Sequence, residues 1–323
     1  MAAWMRLAGF IALSFWLGWP VRACAQILSQ PPIKIVVPST AGSPNDIMAR
    51  LVAEKLSSSL AQPVIVDNRP GAGTTIGMKA AAAGAPDGRT LLFISTSLVI
   101  DPVLYRMADY DPLRTFAPIA SVASTSWVLV VPPSIPAGTV AELVAYAKAN
   151  PGKLNFGYAL GTASQLIGEL FKKLTGTDIA DIPYKGGTGV VPDMLGGRIQ
   201  VYFGTTATVL PLLQAGKLKA LAVTSPKRSP LLPAIPTMIE SGLPELSLTL
   251  WMGMLAPAGT PTPVLDKLNS EINQSLRSAE LAASMSELGF EPKIGTPQEF
   301  ARFIADESPR WSAMVKASGA KVD

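Results

Sequence analysis

From residue 33 to residue 224, short apolar runs alternate with longer segments whose apolar residues recur at helical spacing. Uninterrupted apolar runs are typical of strands that helices cover on both faces. The segments after them have the pattern of amphipathic helices. The sequence therefore predicts an α/β fold built on parallel strands. The predicted strands are 33–37, 64–67, 90–95, 154–158, 179–184, 199–203 and 218–224, and the predicted helices are 47–60, 75–83, 164–174, 190–195 and 208–215.

Two longer strand-like runs, 122–131 and 246–255, differ from these short strands because each joins two blocks of strands and helices and ends in proline-rich sequence. We interpret them as two crossing strands between two lobes that enclose a cleft. The lobes would comprise residues 26–123 plus 247–323 (lobe one) and residues 124–246 (lobe two). We expect the C-terminal helices, predicted over 263–278 and 297–318, to pack on lobe one.

The first 25 residues have the features of a secretory signal peptide. Arg6 is the only early charge, an apolar stretch runs from Leu7 to Trp19, and Ala23-Cys24-Ala25 has the small residues of a cleavage site. We predict cleavage after Ala25. Lipoprotein processing at Cys24 is the less favoured alternative, because Arg22, two residues before that cysteine, does not suit such a site. The mature protein would therefore be exported.

Composition narrows the chemistry that the chain can perform. Its 323 residues include no histidine and one cysteine, and the formal net charge is +4. Catalysis by Ser-His-Asp or Cys-His and histidine metal sites are excluded. No nucleophile–base pair can be named, so the residues favour binding without catalysis, with neither metal nor cofactor. Because no block of like charge stands out, nucleic acid and anionic membranes are disfavoured as partners.

Two strand-to-helix turns are the strongest candidates for a binding site. The first turn, Ser39-Thr40-Ala41-Gly42-Ser43, follows strand 33–37. Ser43 suits the helix N-cap, Pro44 the first helical position, and Asp46 stands at the third helical position, where it supports the cap. The second turn, Gly161-Thr162-Ala163-Ser164, follows strand 154–158, and Thr162 and Gln165 have capping-box spacing. Either turn alone is more often an ordinary connection. One in each lobe would let two helix N-termini clamp an anion across the cleft.

The glycine-rich stretch RPGAGTTIG, residues 69–77, raises the alternative of a dinucleotide site. Its glycines read G-x-G-x-x-x-G rather than G-x-G-x-x-G, and no acid ends the next strand to bind a ribose. We therefore disfavour a dinucleotide-dependent enzyme. Gly73 and Thr74 would instead let the backbone approach a small ligand. Arg69 has two equally weighted roles, to neutralise the ligand or to form structural hydrogen bonds.

Other strand ends supply further candidate ligand-binding residues, namely Ser95, Thr96, Lys185, Gly204 and Thr205. Lys185 offers a cation, although a lysine more often faces solvent. Trp127 and Trp251 lie in the predicted crossing strands, and we favour core packing over pocket lining for both.

Seven collinear segments resemble a known family. They are NRPGAG (68–73), PDGRTL (86–91), AKANPG (147–152), GELFK (168–172), PYKG (183–186), LAVT (221–224) and APAGTP (256–261). On these segments the chain is similar, over nearly the full mature length, to the periplasmic receptors of tripartite tricarboxylate transporters, the Bug receptors.

The resemblance implies a two-lobed periplasmic-binding-protein fold of type II, the Venus flytrap, that captures a small carboxylate in the periplasm and delivers it to membrane permease subunits. It implies a monomer, and a ligand carboxylate held by the amides of residues 40–43 and 161–164. The chain departs from the family pattern at Ser39, Ser43, Gln165 and Gln200, and Gln200 would argue weakly against an amino-acid ligand. An exported dinucleotide-dependent enzyme, a hydrolase and a ligand sensor for a signalling partner remain alternatives.

Overall fold

A computed structural model describes residues 31–105, 107, 110–184 and 186–318. The predicted signal peptide, the cleavage site after Ala25, Cys24 and Lys185 lie outside these residues. Within them, no helix combines the length and the apolar character needed to span a bilayer. The fold is α/β, as predicted, and consists of two sheets flanked by helices.

The elements follow one another along the chain in the order that the apolar runs predict, with additional short elements between them. The strands are β1 Ile33–Val37, β2 Val64–Asn68, β3 Thr90–Ser95, β4 Phe116–Thr125, β5 Trp127–Val131, β6 Asn155–Ala159, β7 Ala180–Tyr184, β8 Val201–Thr205, β9 Lys219–Val223, β10 Leu250–Pro257 and β11 Glu291–Pro292. The helices are α1 Pro44–Ser59, α2 Thr75–Ala82, α3 Ser97–Leu104, α4 Pro112–Thr115, α5 Val140–Ala149, α6 Ala163–Thr175, α7 Gly187–Leu195, α8 Thr206–Gln214, α9 Thr262–Leu276, α10 Ala279–Glu287 and α11 Pro297–Ser318, with a 3₁₀ turn at Pro244–Leu246.

Each sheet is mixed rather than wholly parallel. The first sheet has the strand order β11-β4-β10-β3-β1-β2, and the second has the order β7-β6-β8-β5-β9. In the first sheet β1 runs parallel to β2 and β3, while β10 runs antiparallel to β3 and β4. In the second sheet β6 runs parallel to β7 and β8, while β5 runs antiparallel to β8 and β9. The strands β4, β5 and β10 flank the connections between the two sheets. The prediction of parallel strands did not include their antiparallel pairing.

The two predicted crossing strands are each more complex than a single strand. The run 122–131 divides at Ser126, so that β4 ends in the first sheet and β5 begins in the second. The run 246–255 begins in a 3₁₀ turn, and its strand, β10, lies wholly in the first sheet. Thr224 joins the two connections, since its hydroxyl accepts from the Trp127 amide (3.1 Å) and donates to the Leu248 carbonyl (2.8 Å).

The C-terminal helices pack largely as expected, with one addition. α9 contacts β4 and α1, and α11 contacts β4 and α3, all around the first sheet. α11 also contacts α6 of the second sheet. On α11, the Trp311 ring meets the Trp127 ring edge to face at 6.1 Å between centroids. The last helix therefore links the two sheets.

A carboxylate network fixes the first turn and the start of α1. Ser43 is the N-cap, as predicted, and accepts from the Asp46 amide at 3.3 Å. The buried Asp46 carboxylate accepts from the Gly42 amide (2.8 Å), from Arg50 (3.0 Å) and from Asn68 at the end of β2 (2.9 Å). Burial acts to raise the pKa of Asp46, but the bonds from Arg50, the Gly42 amide and Asn68 together hold that pKa below its ordinary value. Asp46 thus ties the turn to α1 and to the end of β2.

Asp46→Asn should destabilise the fold at pH 7 by about 1–3 kcal/mol, because an amide opposes one of these donors with another donor. A carboxyl with a lowered folded-state pKa stabilises the fold above its ordinary pKa, and this contribution disappears as the pH falls through the folded-state value. Thermal unfolding of both proteins between pH 7 and pH 3 should therefore show a difference that shrinks with acidity. Asp87→Asn, at an exposed turn carboxylate, is the matched control. A difference between Asp46→Asn and the parent that does not change with pH would contradict this role for Asp46.

Candidate functional site

A cavity of about 660 Å³ lies between residues of the two sheets, and we call it the cleft cavity. Both candidate turns line it, together with strand ends and helix starts from each sheet. Of the residues that the sequence predicts to bind a ligand, the cleft cavity is lined by Thr40, Ala41, Gly42, Ser43, Gly73, Thr74, Ser95, Thr96, Gly161, Thr162, Ala163, Ser164 and Thr205. Positions more than 100 residues apart in the chain therefore meet at one surface.

Three of the predicted residues lie away from this lining. Ser39 bonds to the Ser43 hydroxyl at 2.7 Å. Arg69 donates to both carboxylate oxygens of Asp67 at 3.1 Å. Of the two roles considered for Arg69, these bonds fit the structural one. Gly204 lies within β8, where a Cβ would stand 2.5 Å from Val209 Cγ1, so a glycine is needed there for packing.

The first turn holds backbone amides of two kinds. The Gly42 amide donates to Asp46 and the Ser43 amide to the Thr40 carbonyl at 3.2 Å. The Thr40 and Ala41 amides have no acceptor among the described residues, and both residues line the cleft cavity. Two donors of this turn are therefore available to a ligand.

The second turn follows the same division. The Gly161 amide donates to Gln165 Oε1 at 2.9 Å and the Thr162 amide to the Ala159 carbonyl at 3.3 Å. The amides of Ala163 and Ser164, at the start of α6, meet no acceptor in the described part of the chain. Four amides, two from each sheet, thus border the cleft cavity without a partner.

The predicted capping box of the second turn is wrong in its details. Thr162 is the N-cap, but its hydroxyl donates to the Ala159 carbonyl at 2.8 Å and accepts no bond from the helix backbone. Gln165 reaches the Gly161 amide rather than the Thr162 amide. The side chains of Thr162 and Gln165 thus both bond to the backbone of the second turn. The amides at the start of α6 keep no acceptor among the described residues.

The glycine-rich stretch holds a carboxylate of the protein itself. The Thr74 amide and hydroxyl donate to Asp101 Oδ2 at 2.9 Å and 2.6 Å. Gly73 has φ +62°, and a Cβ there would lie 2.5 Å from the Tyr105 ring, so this position requires glycine. Asp101 occupies the donors that a nucleotide phosphate would need.

Asp101 and several aromatic residues line the cleft cavity without having been predicted to do so. Asp101 is 4 % exposed, and burial raises its pKa although the bonds from Thr74 act to lower it. Tyr105 and Tyr202 also line the cavity. Trp127 lines it while packing on Trp311, so it has the core-packing role that the sequence favoured and the pocket-lining role as well. An acid inside the apolar run 98–104 is the signal that could have identified Asp101.

Gln165 and Gln200 lie outside the lining of the cleft cavity. Gln200 accepts from the Asn155 amide at 2.9 Å and donates to the Gly197 carbonyl at 2.5 Å, so both ends of its side-chain amide are engaged. The inference that Gln200 disfavours an amino-acid ligand therefore has no support in the geometry.

A second cavity, of about 820 Å³, lies between segment 225–230 and α11 and is walled in part by Trp251, Phe300 and Phe303. Trp251 packs against both phenylalanine rings, which agrees with the core role predicted for it. We place the candidate site in the smaller cleft cavity, because the four unpartnered amides border that cavity. Nowhere in the described residues do three or more acidic, histidine or cysteine side chains gather as a metal site would require.

Comparison with known proteins gives a consistent result. The family model described as the tripartite tricarboxylate transporter family receptor matches residues 48–320. Protein BugT of Bordetella pertussis (strain Tohama I) is 40 % identical over 294 residues, which cover 90 % of this chain and 90 % of that protein.

Solved structures agree with this assignment. Rpa4515 of R. palustris, solved with adipate, superimposes with a TM-score of 0.79 at 35 % identity, covering 90 % of this chain and 98 % of that one. The periplasmic binding protein BugD superimposes with a TM-score of 0.76 at 35 % identity and the same coverage. The chain therefore belongs to the receptor family of tripartite tricarboxylate transporters.

Proposed function

We propose that this protein is a periplasmic receptor that captures a small organic carboxylate in the cleft cavity and delivers it to the permease subunits of a tripartite tricarboxylate transporter. The observation that carries the proposal is the set of four unpartnered amides of Thr40, Ala41, Ala163 and Ser164, two from each sheet. The relatives support the ligand class, since Rpa4515 was solved with adipate.

The chemistry of the four amides suits a carboxylate. An ionised carboxylate only accepts hydrogen bonds, and its two oxygens can take about four of them. Bonds from backbone N–H to a charged oxygen are about twice as strong as neutral ones. α1 and α6 begin beside the two turns, and the positive ends of their dipoles add to the attraction. The hydroxyls of Ser43, Ser95, Thr96 and Thr205 are further donors along the lining.

A ligand held by both turns would draw the two predicted lobes together. The chain passes between the sheets at Ser126 and again after Thr224, and the bonds of Thr224 keep the two passages side by side. A rotation about this pair of connections would close the cleft by a hinge motion. We infer a monomer that binds without catalysis and without a cofactor, with residues 1–25 removed on export.

Ligand binding can be tested by thermal unfolding of the protein, refolded from denaturant to remove bound ligand, against carboxylates and their amides. A ligand at 100 times its Kd stabilises the folded state by about 2.7 kcal/mol, which in a protein of this size raises Tm by several degrees. We expect a shift with a group of carboxylates and none with the corresponding amides. Equal shifts with the amides, or no shift with any carboxylate, would contradict the proposal.

The role of the amides can be tested with Ala163→Pro, which removes one amide without breaking any hydrogen bond within the protein. Ala163 is the first residue of α6, a position where proline is favoured, and Thr162 before it is already extended (φ −119°, ψ 169°). Loss of one charge-assisted bond, about 1.5–3 kcal/mol, should weaken carboxylate affinity roughly 10–100-fold by calorimetry.

Ala279→Pro is the matched control for this variant. Ala279 is the exposed first residue of α10, which lies away from the cleft cavity, and its amide likewise has no acceptor among the described residues. Ala279→Pro should leave the affinity unchanged. Equal affinities in the two variants, both folded, would contradict a role for the Ala163 amide.

A further inference from the structure

Asp101 gives the cleft cavity a chemical asymmetry. Among the described residues that line the cavity, Asp101 alone has a charged side chain. It extends from α3 of the first sheet, and the four unpartnered amides lie at the first turn and at the start of α6. The cavity therefore combines donors for an anion with one buried acid.

The described residues satisfy only one oxygen of the Asp101 carboxylate. Oδ2 accepts both bonds from Thr74, at 2.9 Å and 2.6 Å, while Oδ1 has no hydrogen-bond partner within the described chain. No lysine or arginine of that part of the chain forms an ion pair with Asp101. An ionised carboxylate offers only acceptors, so Oδ1 can take a bond from a donor that enters the cavity. With no donor for it among the described residues, this oxygen is open to a donor of the ligand.

The tyrosines near Asp101 do not supply this donor. Burial raises the pKa of the Tyr105 and Tyr110 hydroxyls, and the charge of Asp101 adds to this effect. The Tyr110 hydroxyl donates instead to Met78 Sδ at 3.4 Å. A second carboxylate beside Asp101 would be repelled by its negative charge, and partial burial would strengthen this repulsion. A hydroxyl, amide or ammonium group would instead donate a hydrogen bond to Oδ1.

We propose that Asp101 selects the ligand, which is a monocarboxylate carrying a hydrogen-bond donor at a distance from its carboxylate, in preference to a dicarboxylate of the same length. The carboxylate binds at the four amides, and the distal donor binds at Asp101. This inference rests on the proposed function, because it assumes that a carboxylate occupies the cleft cavity. It separates this protein from Rpa4515, which was solved with a dicarboxylate.

The test is calorimetry with matched ligand sets in which only the distal group changes. One set is hexanoate, 6-hydroxyhexanoate, 6-aminohexanoate, adipamate and adipate. Two others are the four-carbon equivalents and an aromatic set of 4-hydroxybenzoate, 4-aminobenzoate and terephthalate. In at least one set, the parent protein should bind a donor-bearing monocarboxylate about tenfold or more tightly than the dicarboxylate.

Asp101→Asn should reverse this preference. The Asn carbonyl can still accept both bonds from Thr74, while its NH₂ replaces the free acceptor with a donor that suits a carboxylate. Because burial raises the pKa of Asp101, removing its charge should leave the protein at least as stable at pH 7, so a folded variant is expected. Asp87→Asn, at an exposed turn, should keep the parent's preference.

The possible outcomes separate the inference from the proposed function. If carboxylates bind but in no set does a donor-bearing monocarboxylate bind about tenfold or more tightly than the dicarboxylate, the inference alone is overturned. A preference that is the same in Asp101→Asn and in the parent would also overturn it. Failure of every carboxylate in all three sets to bind would contradict the proposed function and the inference with it.

Discussion

A backbone amide that is removed from water needs an acceptor, and the site follows from how the two turns meet this requirement. In each turn a side chain four residues ahead takes one amide, Asp46 that of Gly42 and Gln165 that of Gly161. These bonds hold the turns in shape and leave the neighbouring amides uncovered. A rigid turn with unused donors can bind an anion without an arginine or lysine, because the donors are already in position and little order is lost on binding.

Contacts between the two sheets hold the two halves of the site in position relative to each other. The four amides belong to two sheets, which are connected at Ser126 and after Thr224 and bridged by α11. Bonds of the Thr224 hydroxyl hold the connections together, and the Trp127 and Trp311 rings fill the space beside them. Trp127 also lines the cleft cavity, so a ligand would contact a residue that lies beside the proposed hinge. Binding and closure would therefore share a structural element.

Features set by near neighbours in the sequence were predictable, and those set by distant contacts were not. The start of α1 follows from Ser43 and Pro44, because capping involves residues three positions apart. The division of run 122–131 at Ser126 was missed although Ser124, Thr125 and Ser126 interrupt the apolar pattern there, because the bond from the Trp127 amide to Thr224 joins residues 97 positions apart. Asp101 was missed for the same reason, because its donors lie at Thr74, 27 residues earlier. The choice of the amides of Ala163 and Ser164 over that of Thr162 depended on hydrogen bonds that only the folded turn defines.

We infer that backbone amides of the two turns bind the ligand's carboxylate. It can be tested directly by NMR on protein labelled with ¹⁵N-alanine and titrated with a carboxylate that raises its Tm. The amide protons of Ala41 and Ala163, one in each turn, should move downfield together as they form charge-assisted hydrogen bonds. The amide of Ala279, on α10 away from the cleft cavity, should not move. Saturation of the protein with no change at Ala41 and Ala163 would contradict the claim.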